Sequence, residues 1–217
     1  MMIKYLGHAA FLIKNAEGIR TITDPYSPTQ GIHYKPIDEN ADIVTVSHEH
    51  WDHNAVDSVG GNPVVIRGKD KRSVKGITIS GIPTFHDTNK GKERGENTIF
   101  VFDIDGMRLC HLGDLGHKLS KEQISLIGKI DICFIPVGGY FTIDVKEAKE
   151  VIESIDPKIV IPMHFKTSSL DFPIAGVEEF LKDMERVKRL DNSEYEIEID
   201  RLPSERETIV FRPAKSS

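Results

Sequence analysis

The segment Thr45-Val46-Ser47-His48-Glu49-His50-Trp51-Asp52-His53-Asn54 constrains this chain more than any other. The apolar run Ala41 to Val46 calls for a strand in a core, and three histidines and an aspartate follow within a few residues of its end. Packing does not demand such a density of imidazole and carboxylate. Together these donors suit zinc and its first-row neighbours, at about 2.0–2.2 Å from the ion. Bonds that short need a rigid platform, which a strand end supplies. His48 and His50 are two apart, the spacing at which side chains of an extended segment point the same way. That is not the helical spacing of the His-Glu-x-x-His zinc proteases, whose histidines sit four apart. Asp52 and His53 come next, before a short helical run from Asn54 to Val59. A lone histidine near a strand end is usually a cap or a surface residue; four donors this close reverse that reading. One ion does not take all four comfortably, which points to two.

Three later segments repeat the design, setting a metal-competent side chain just beyond an apolar strand. His86-Asp87 follows Gly76 to Phe85, Asp114 follows Met107 to Leu112 through Gly113, and His164 follows Ile159 to Met163. Donors gathered at one end of several strands are what a rigid sheet offers to a metal.

Between these points the chain reads as short strands and a few helices. Met2 to Leu6, Ala9 to Lys14 and Ile19 to Thr23 are strands, the latter two joined by a hairpin-like turn at Asn15-Ala16-Glu17-Gly18. The proline-bearing segment Asp24 to Asn40 is a loop. Further strands run Pro63 to Arg67, Gly76 to Phe85, Thr98 to Ile104 and Met107 to Leu112, with Asp105-Gly106 as a tight turn between the last two. Ser120 to Ile127 is a short helix with a capping box from Ser120 and Gln123. The continuous apolar runs Ile130 to Val137 and Lys158 to Met163 imply strands buried on both faces. Asp144 caps a helix to Ser154, and Gly176 to Glu185 reads as a charged amphipathic helix, with Lys182 to Asp191 as its solvated face and exit. Tyr195 to Arg212 reads as strands interrupted at Leu202-Pro203-Ser204.

His48-x-His50-x-Asp52-His53, the isolated His86, Asp114 within Leu112-Gly113-Asp114, and His164 resemble the five-part metal signature of the metallo-β-lactamase superfamily, in the same order. Tyr5-Leu6-Gly7-His8-Ala9-Ala10-Phe11, Thr23-Asp24-Pro25, Leu112-Gly113-Asp114-Leu115-Gly116-His117 and Pro162-Met163-His164 narrow this further. They resemble the branch of small prokaryotic metal-dependent hydrolases that includes ascorbate-phosphate lactonases and N-acylphosphatidylethanolamine phospholipases. The resemblance spans essentially the whole chain and implies an α/β (α+β) fold, a four-layer αββα sandwich with its metal site at one edge of two sheets. It also implies a division of labour: His48, His50 and His86 on one ion, Asp52, His53 and His164 on the other, and Asp114 bridging. His50 stands where flavodiiron oxidoreductases of the superfamily usually carry glutamate, which favours hydrolysis over redox chemistry. The donors are all nitrogen and oxygen, so zinc is the expected metal, with manganese and iron also compatible.

Composition bounds the remainder. A chain of 217 residues fits one domain, 1–217, because cores stop growing only near about 250–300 residues. A formal charge of -6 argues against a general nucleic-acid binder, which would carry a basic face. Cys110 and Cys133 lie inside apolar runs and read as buried thiols rather than a disulfide framework. No apolar run reaches the 18 or so residues of a membrane span and no signal peptide is evident, so the expected home is reducing and cytoplasmic, without membrane contact. Assembly into a homo-oligomer is compatible with all of this.

The expected activity is hydrolysis of a small anionic ester, phosphodiester or lactone by a hydroxide bridging two divalent ions, with Asp52 orienting or accepting the proton and His8 assisting. Asp24 is expected to brace the ligand loop. His117, Lys166, Tyr140 and Arg94 are candidates to meet substrate, Arg94 from the loop Gly91-Lys92-Glu93-Arg94-Gly95; His33 and His111 read as structural. Two rival functions are weighed against this one: a nuclease or phosphodiesterase on nucleic acid, and a metal-binding scaffold or sensor without turnover.

Overall fold

The computed structural model describes residues 1–216. Met2–Gly7 (β1), Ala10–Lys14 (β2) and Arg20–Thr23 (β3) open the chain as an antiparallel meander. Asn15 makes the β2–β3 turn, its side-chain oxygen accepting the Ile19 N–H at 2.7 Å. Ile43–Val46 (β4) and Val64–Arg67 (β5) add in parallel to β3. Lys71–Val74 (β6), Ile77–Phe85 (β7), Glu96–Ile104 (β8) and Met107–His111 (β9) form a second antiparallel run. Between β8 and β9, Asp105 and Gly106 have φ of 50° and 76°, the two positive values a type I′ turn needs.

From there helices and parallel strands alternate: Lys121–Ile127 (α1), Ile132–Pro136 (β10), Val145–Ile155 (α2), Ile159–Met163 (β11) and Val177–Leu181 (α3). Ser120 and Asp144 each head a full capping box, with Gln123 and Glu147 returning the bond. Three short strands finish the chain: Val187–Arg189 (β12), Glu194–Glu196 (β13) and Glu207–Val210 (β14). One sheet runs β13-β1-β2-β3-β4-β5 and the other β12-β14-β11-β10-β9-β8-β7-β6.

The sheets pack face to face. Ile3, Tyr5, Phe11 and Ile13 on the inner side of the first join Phe100, Phe102 and Phe134 of the second in one core, and the Phe11 and Phe134 rings meet at 4.6 Å. Each such side chain, fully buried, contributes about 1.5–3 kcal/mol by leaving water. The alternate residues Leu6, Leu12, Ile22, Val44 and Val46 face outward, where Tyr26, Ile32, Tyr34 and Ile37 cover them. The segment 24–40 is therefore irregular, as its prolines predict, yet it forms the layer outside the first sheet. Helices α1 and α2 lie against the second sheet.

Three local expectations are corrected. The helix expected over Gly176–Glu185 is regular only for Val177–Leu181. Within the expected helix exit Lys182–Asp191, Val187–Arg189 instead pairs in parallel with β14 as an edge strand, bristling with charge as exposed edges do. The helical run after the opening motif is one 3-10 turn, Val56–Ser58. Strand β6, polar and exposed, carries no apolar signal; its partner β7 recruits it.

Candidate metal centre

Strand direction gathers the site. Strands β1, β3 and β4 run the same way in the first sheet, as do β7, β9, β10 and β11 in the second. Their carboxyl ends deliver, in turn, His8, Asp24, Ser47 to His53, His86, Asp114, Gly138 to Phe141, and His164. The Thr98 N–H donates to the Ser47 carbonyl at 2.8 Å and the His164 N–H to the His8 carbonyl at 2.9 Å, so the two sheets are laced together where the donors meet.

Backbone at the centre is strained. His8, Asp24 and His164 hold φ of 56°, 38° and 51°, left-handed values uncommon outside glycine and concentrated at functional sites. Close approach also selects glycine. A Cβ on Gly113 would lie 2.4 Å from Asn97 Oδ1 and 2.6 Å from Ser47 Cβ, and one on Gly116 would lie 2.2 Å from the His86 carbonyl carbon. Bulk at either position would push the Asp114 loop off its neighbours.

The expected ligands converge in two groups. His48, His50 and His86 form one, and His8, Asp52, His53 and His164 the other, with the donor atoms of each within 4.8 Å of one another. Asp114 stands between them. Its Oδ2 is 3.1 Å from His86 Nε2, 3.3 Å from His164 Nε2 and 3.9 Å from His48 Nε2, while its Oδ1 is 3.3 Å from His53 Nε2.

Hydrogen bonds fix which nitrogens are free. The single Ser47 hydroxyl proton goes to Asp24 Oδ2 at 2.5 Å, so the 2.9 Å contact to His48 is donated by His48 Nδ1. His53 Nδ1 likewise donates to Asp24 Oδ2 at 3.0 Å, and the Ser47 N–H donates to Oδ1 at 2.8 Å. Both imidazoles thus turn a bare Nε2 lone pair inward. These two nitrogens and Asp114 Oδ1 are buried without a hydrogen-bond partner, a costly arrangement unless a cation is the intended partner. The residues present therefore fit metal ions.

Electrostatics agree. Burial pushes the Asp114 carboxyl up, but His164, His53 and His86 outweigh it and hold the group well below the carboxylate range. Burial lowers His48 to about 3, which keeps it neutral and ligand-ready. His53 is the exception: burial disfavours its charge, yet Asp114 and Asp52 raise it well above the usual value. That pull of two carboxylates on one imidazole marks the spot between them as favourable for positive charge.

The remaining expected residues divide. Asp24 is fully buried and braces His53 directly and His48 through Ser47, a relay the sequence reading lacked. His8 is fully buried, its Nε2 donating to Asp52 Oδ2 at 3.3 Å, beneath the carboxylate rather than beside the cavity. The cavity, about 340 Å³, is lined by His50, Trp51, Asp52, His86, Arg94, Asp114, Phe141, His164 and Phe172. Arg94 is there as expected. Asp87, 3 % exposed, holds its loop by accepting the backbone N–H groups of Asn89, Gly91, Glu93 and Arg94. Burial raises the Asp87 carboxyl, and those four bonds more than reverse the effect, to about 2.

The other three candidates are elsewhere. His117 spends both ring nitrogens on backbone, accepting from the Phe85 N–H at 3.1 Å and donating to the Lys118 carbonyl at 2.8 Å. Lys166 is exposed and donates to the Phe172 carbonyl at 2.9 Å. Tyr140 is 66 % exposed and turned outward, with its neighbour Phe141 facing the cavity instead. His111 donates from Nε2 to the Ala9 carbonyl at 2.9 Å and accepts from the Gly113 N–H at 3.2 Å, setting the Asp114 loop. Asn97 does the same from β8: its Oδ1 accepts the Asp114 N–H at 2.9 Å. A side-chain amide inside a strand gives no warning of that task in sequence.

Residues 2–164 match the Beta-lactamase superfamily domain. The chain belongs to the metallo-β-lactamase superfamily. A UPF0173 metal-dependent hydrolase of Pyrococcus abyssi is 33% identical over 209 residues, spanning 83% of this chain and 90% of its own. Another from Thermococcus onnurineus is 31% identical over 207 residues, with the same 83% and 90% shares. A crystal structure from Thermotoga maritima, of a protein described as a Zn-dependent hydrolase of the metallo-β-lactamase superfamily, is 39% identical with a TM-score of 0.80 and covers 97% of both chains. The superfamily member described here is thus grouped with metal-dependent hydrolases, and its two-sheet sandwich is the superfamily's fold.

Proposed function

We propose that this chain is a dinuclear zinc hydrolase acting on a small anionic ester, phosphodiester or lactone. The observation that carries the reading is Asp114, one carboxylate within 3.9 Å of donor nitrogens from both ligand groups. His48, His50 and His86 would hold one ion, Asp52, His53 and His164 the other, and Asp114 both. Two divalent ions held there would supply Lewis acidity, bringing the pKa of bound water down to about 7 and drawing charge from the bond under attack. The Zn-dependent description of the Thermotoga maritima relative and the all-nitrogen-and-oxygen donor set support zinc.

The protein's own groups do the rest. Asp52 lines the cavity with one oxygen tied by His8, and His53 and His8 keep it ionised against burial, so it orients water and accepts its proton. Burial drops His8 to about 4, so its one ring proton stays on Nε2 and serves to aim Asp52. Two divalent ions would bring four positive charges against the two negative charges of Asp52 and Asp114. The residual charge, with Arg94 at the rim, favours an anion despite the acidic chain. A cavity of about 340 Å³ suits a small molecule better than a nucleic-acid strand.

Purified protein assayed for metal and against bis-p-nitrophenyl phosphate, lactones, thioesters and a β-lactam tests the reading. Metal-dependent turnover of an anionic substrate, lost in His48→Ala and Asp114→Ala, is expected. Two bound metals with no turnover of any class would instead support a scaffold.

A further inference from the structure

The cavity has a wall that hydrolysis does not require. Trp51, between the expected ligands His50 and Asp52, meets Phe172 edge-on with ring centroids 6.2 Å apart, and Phe172 meets Phe141 at 6.0 Å. The three rings come from three separate segments: the β4 loop, the Gly138 to Phe141 turn after β10 and the loop after β11. All three are only partly buried, because one side of each faces the cavity. Across from them the Arg94 guanidinium lies 5.9 Å from the Phe141 ring centroid. Asp87 holds the backbone of its loop, so Arg94 reaches the rim from an anchored segment, its guanidinium also 3.9 Å from Glu93 Oε2.

Such a cleft combines a flat apolar wall, a cation at the rim and the candidate metal centre within one small volume. Phosphate or carboxylate alone needs only the last two. Leaving three aromatic rings facing water is unfavourable unless something flat and apolar covers them, and offset or edge-to-face ring contacts add to the gain from burial. We propose that Trp51, Phe141 and Phe172, with Arg94, form a specificity pocket for a small anion that carries one flat apolar group beside the bond to be broken. This deepens the hydrolase reading above, on which it rests for the place of the reacting bond.

Binding separates this from the chemistry. Phenylphosphonate and methylphosphonate carry the same anion and differ in the flat group alone. Calorimetric titration of the protein as purified with its metals should show phenylphosphonate binding about tenfold tighter or more. Trp51 is the only tryptophan of the chain, so its fluorescence should report the phenyl compound directly. Phe141→Ala and Phe172→Ala should each shrink the preference, Phe141→Leu should shrink it less, and Arg94→Ala should weaken both ligands by a similar factor. Metal content, measured alongside, shows that each variant is folded at the centre. Equal affinities in the parent protein, or a preference untouched in the Phe141→Ala, Phe172→Ala double variant, would overturn the pocket. Phenyl preference without turnover of any ester counts against the proposed reaction alone; turnover with no preference counts against the pocket alone.

Discussion

Asp24 Oδ2 accepts hydrogen bonds from His53 Nδ1 across 3.0 Å and from the Ser47 hydroxyl across 2.5 Å, so one buried carboxylate sets the tautomers of two expected ligands. Ser47 relays the constraint to His48 Nδ1 at 2.9 Å. The pairing raises the basicity of the inward nitrogens and stops both rings from turning. Asp24→Asn keeps the shape and loses the charge. It should weaken metal binding about 10–100-fold, read by competition with a chelator of known affinity. Unchanged affinity would mean that Asp24 supports the loop and not the metals.

Metal should act on stability as well as chemistry, because the folded chain assembles donors that the unfolded chain scatters. At a free zinc concentration 100 times the dissociation constant, the folded state gains about 2.7 kcal/mol. For a chain of this size that corresponds to a rise in Tm of about 5–11 °C. Differential scanning calorimetry of chelator-treated protein before and after zinc checks the sign and the size. An unchanged Tm would show that the centre does not couple to folding.

Asp87 organises the loop that carries Arg94 through four backbone bonds. Asp87→Ala leaves those N–H groups without their shared acceptor, so segment 88–94 should open to proteolysis at Lys90, Lys92 and Arg94 while the rest of the chain stays resistant. For anionic substrates the same variant should raise KM by more than it lowers kcat. Limited trypsin digestion and steady-state kinetics read the two effects, and a loop equally resistant in both proteins would contradict the account.

Alkaline pH should destabilise both faces of the first sheet, Tyr5 on the inner one and Tyr26 and Tyr34 on the outer. Burial raises Tyr5, Tyr26 and Tyr34 above the ordinary phenol value, with Tyr34 adding to the shift in Tyr5 and Tyr26. A phenol whose folded pKa is raised contributes stability that is complete below its unfolded pKa of about 10 and is lost as pH rises through the folded value. Three of the five tyrosines should therefore stay protonated past pH 10 until the fold gives way. Absorbance at 295 nm followed with far-ultraviolet circular dichroism would show this as a late phenolate step that coincides with unfolding. All five ionising together near pH 10 in folded protein would refute it.

Much of the centre was legible in sequence because ligand geometry leaves a local mark. His48 and His50 carry the two-residue period of an extended chain, and His86, Asp114 and His164 each follow an apolar strand whose end aims them. The strands themselves declared their boundaries within a residue or two, as at Met107–His111 and Ile159–Met163. What sequence concealed depends on contacts between distant segments. Ser47 and Asn97 act only because Gly113 lets the Asp114 loop approach both. His117 reads in sequence as a residue to meet substrate, but the Phe85 N–H claims its free nitrogen. Tyr140 and Phe141 are neighbours, and the left-handed turn at Gly139 and Tyr140 decides that Phe141 faces inward. Strand β12 forms because β14 offers an edge, overriding a segment whose charge pattern favours a solvated helix.

The central claim is that the gathered donors hold two cations with Asp114 shared between them. Elemental analysis of the purified chain, titrated with zinc and dialysed, tests it most directly. About two equivalents should remain on the parent protein and one or fewer on Asp114→Ala. Retention of no more than a trace by the parent, or of two equivalents by the variant, would contradict it.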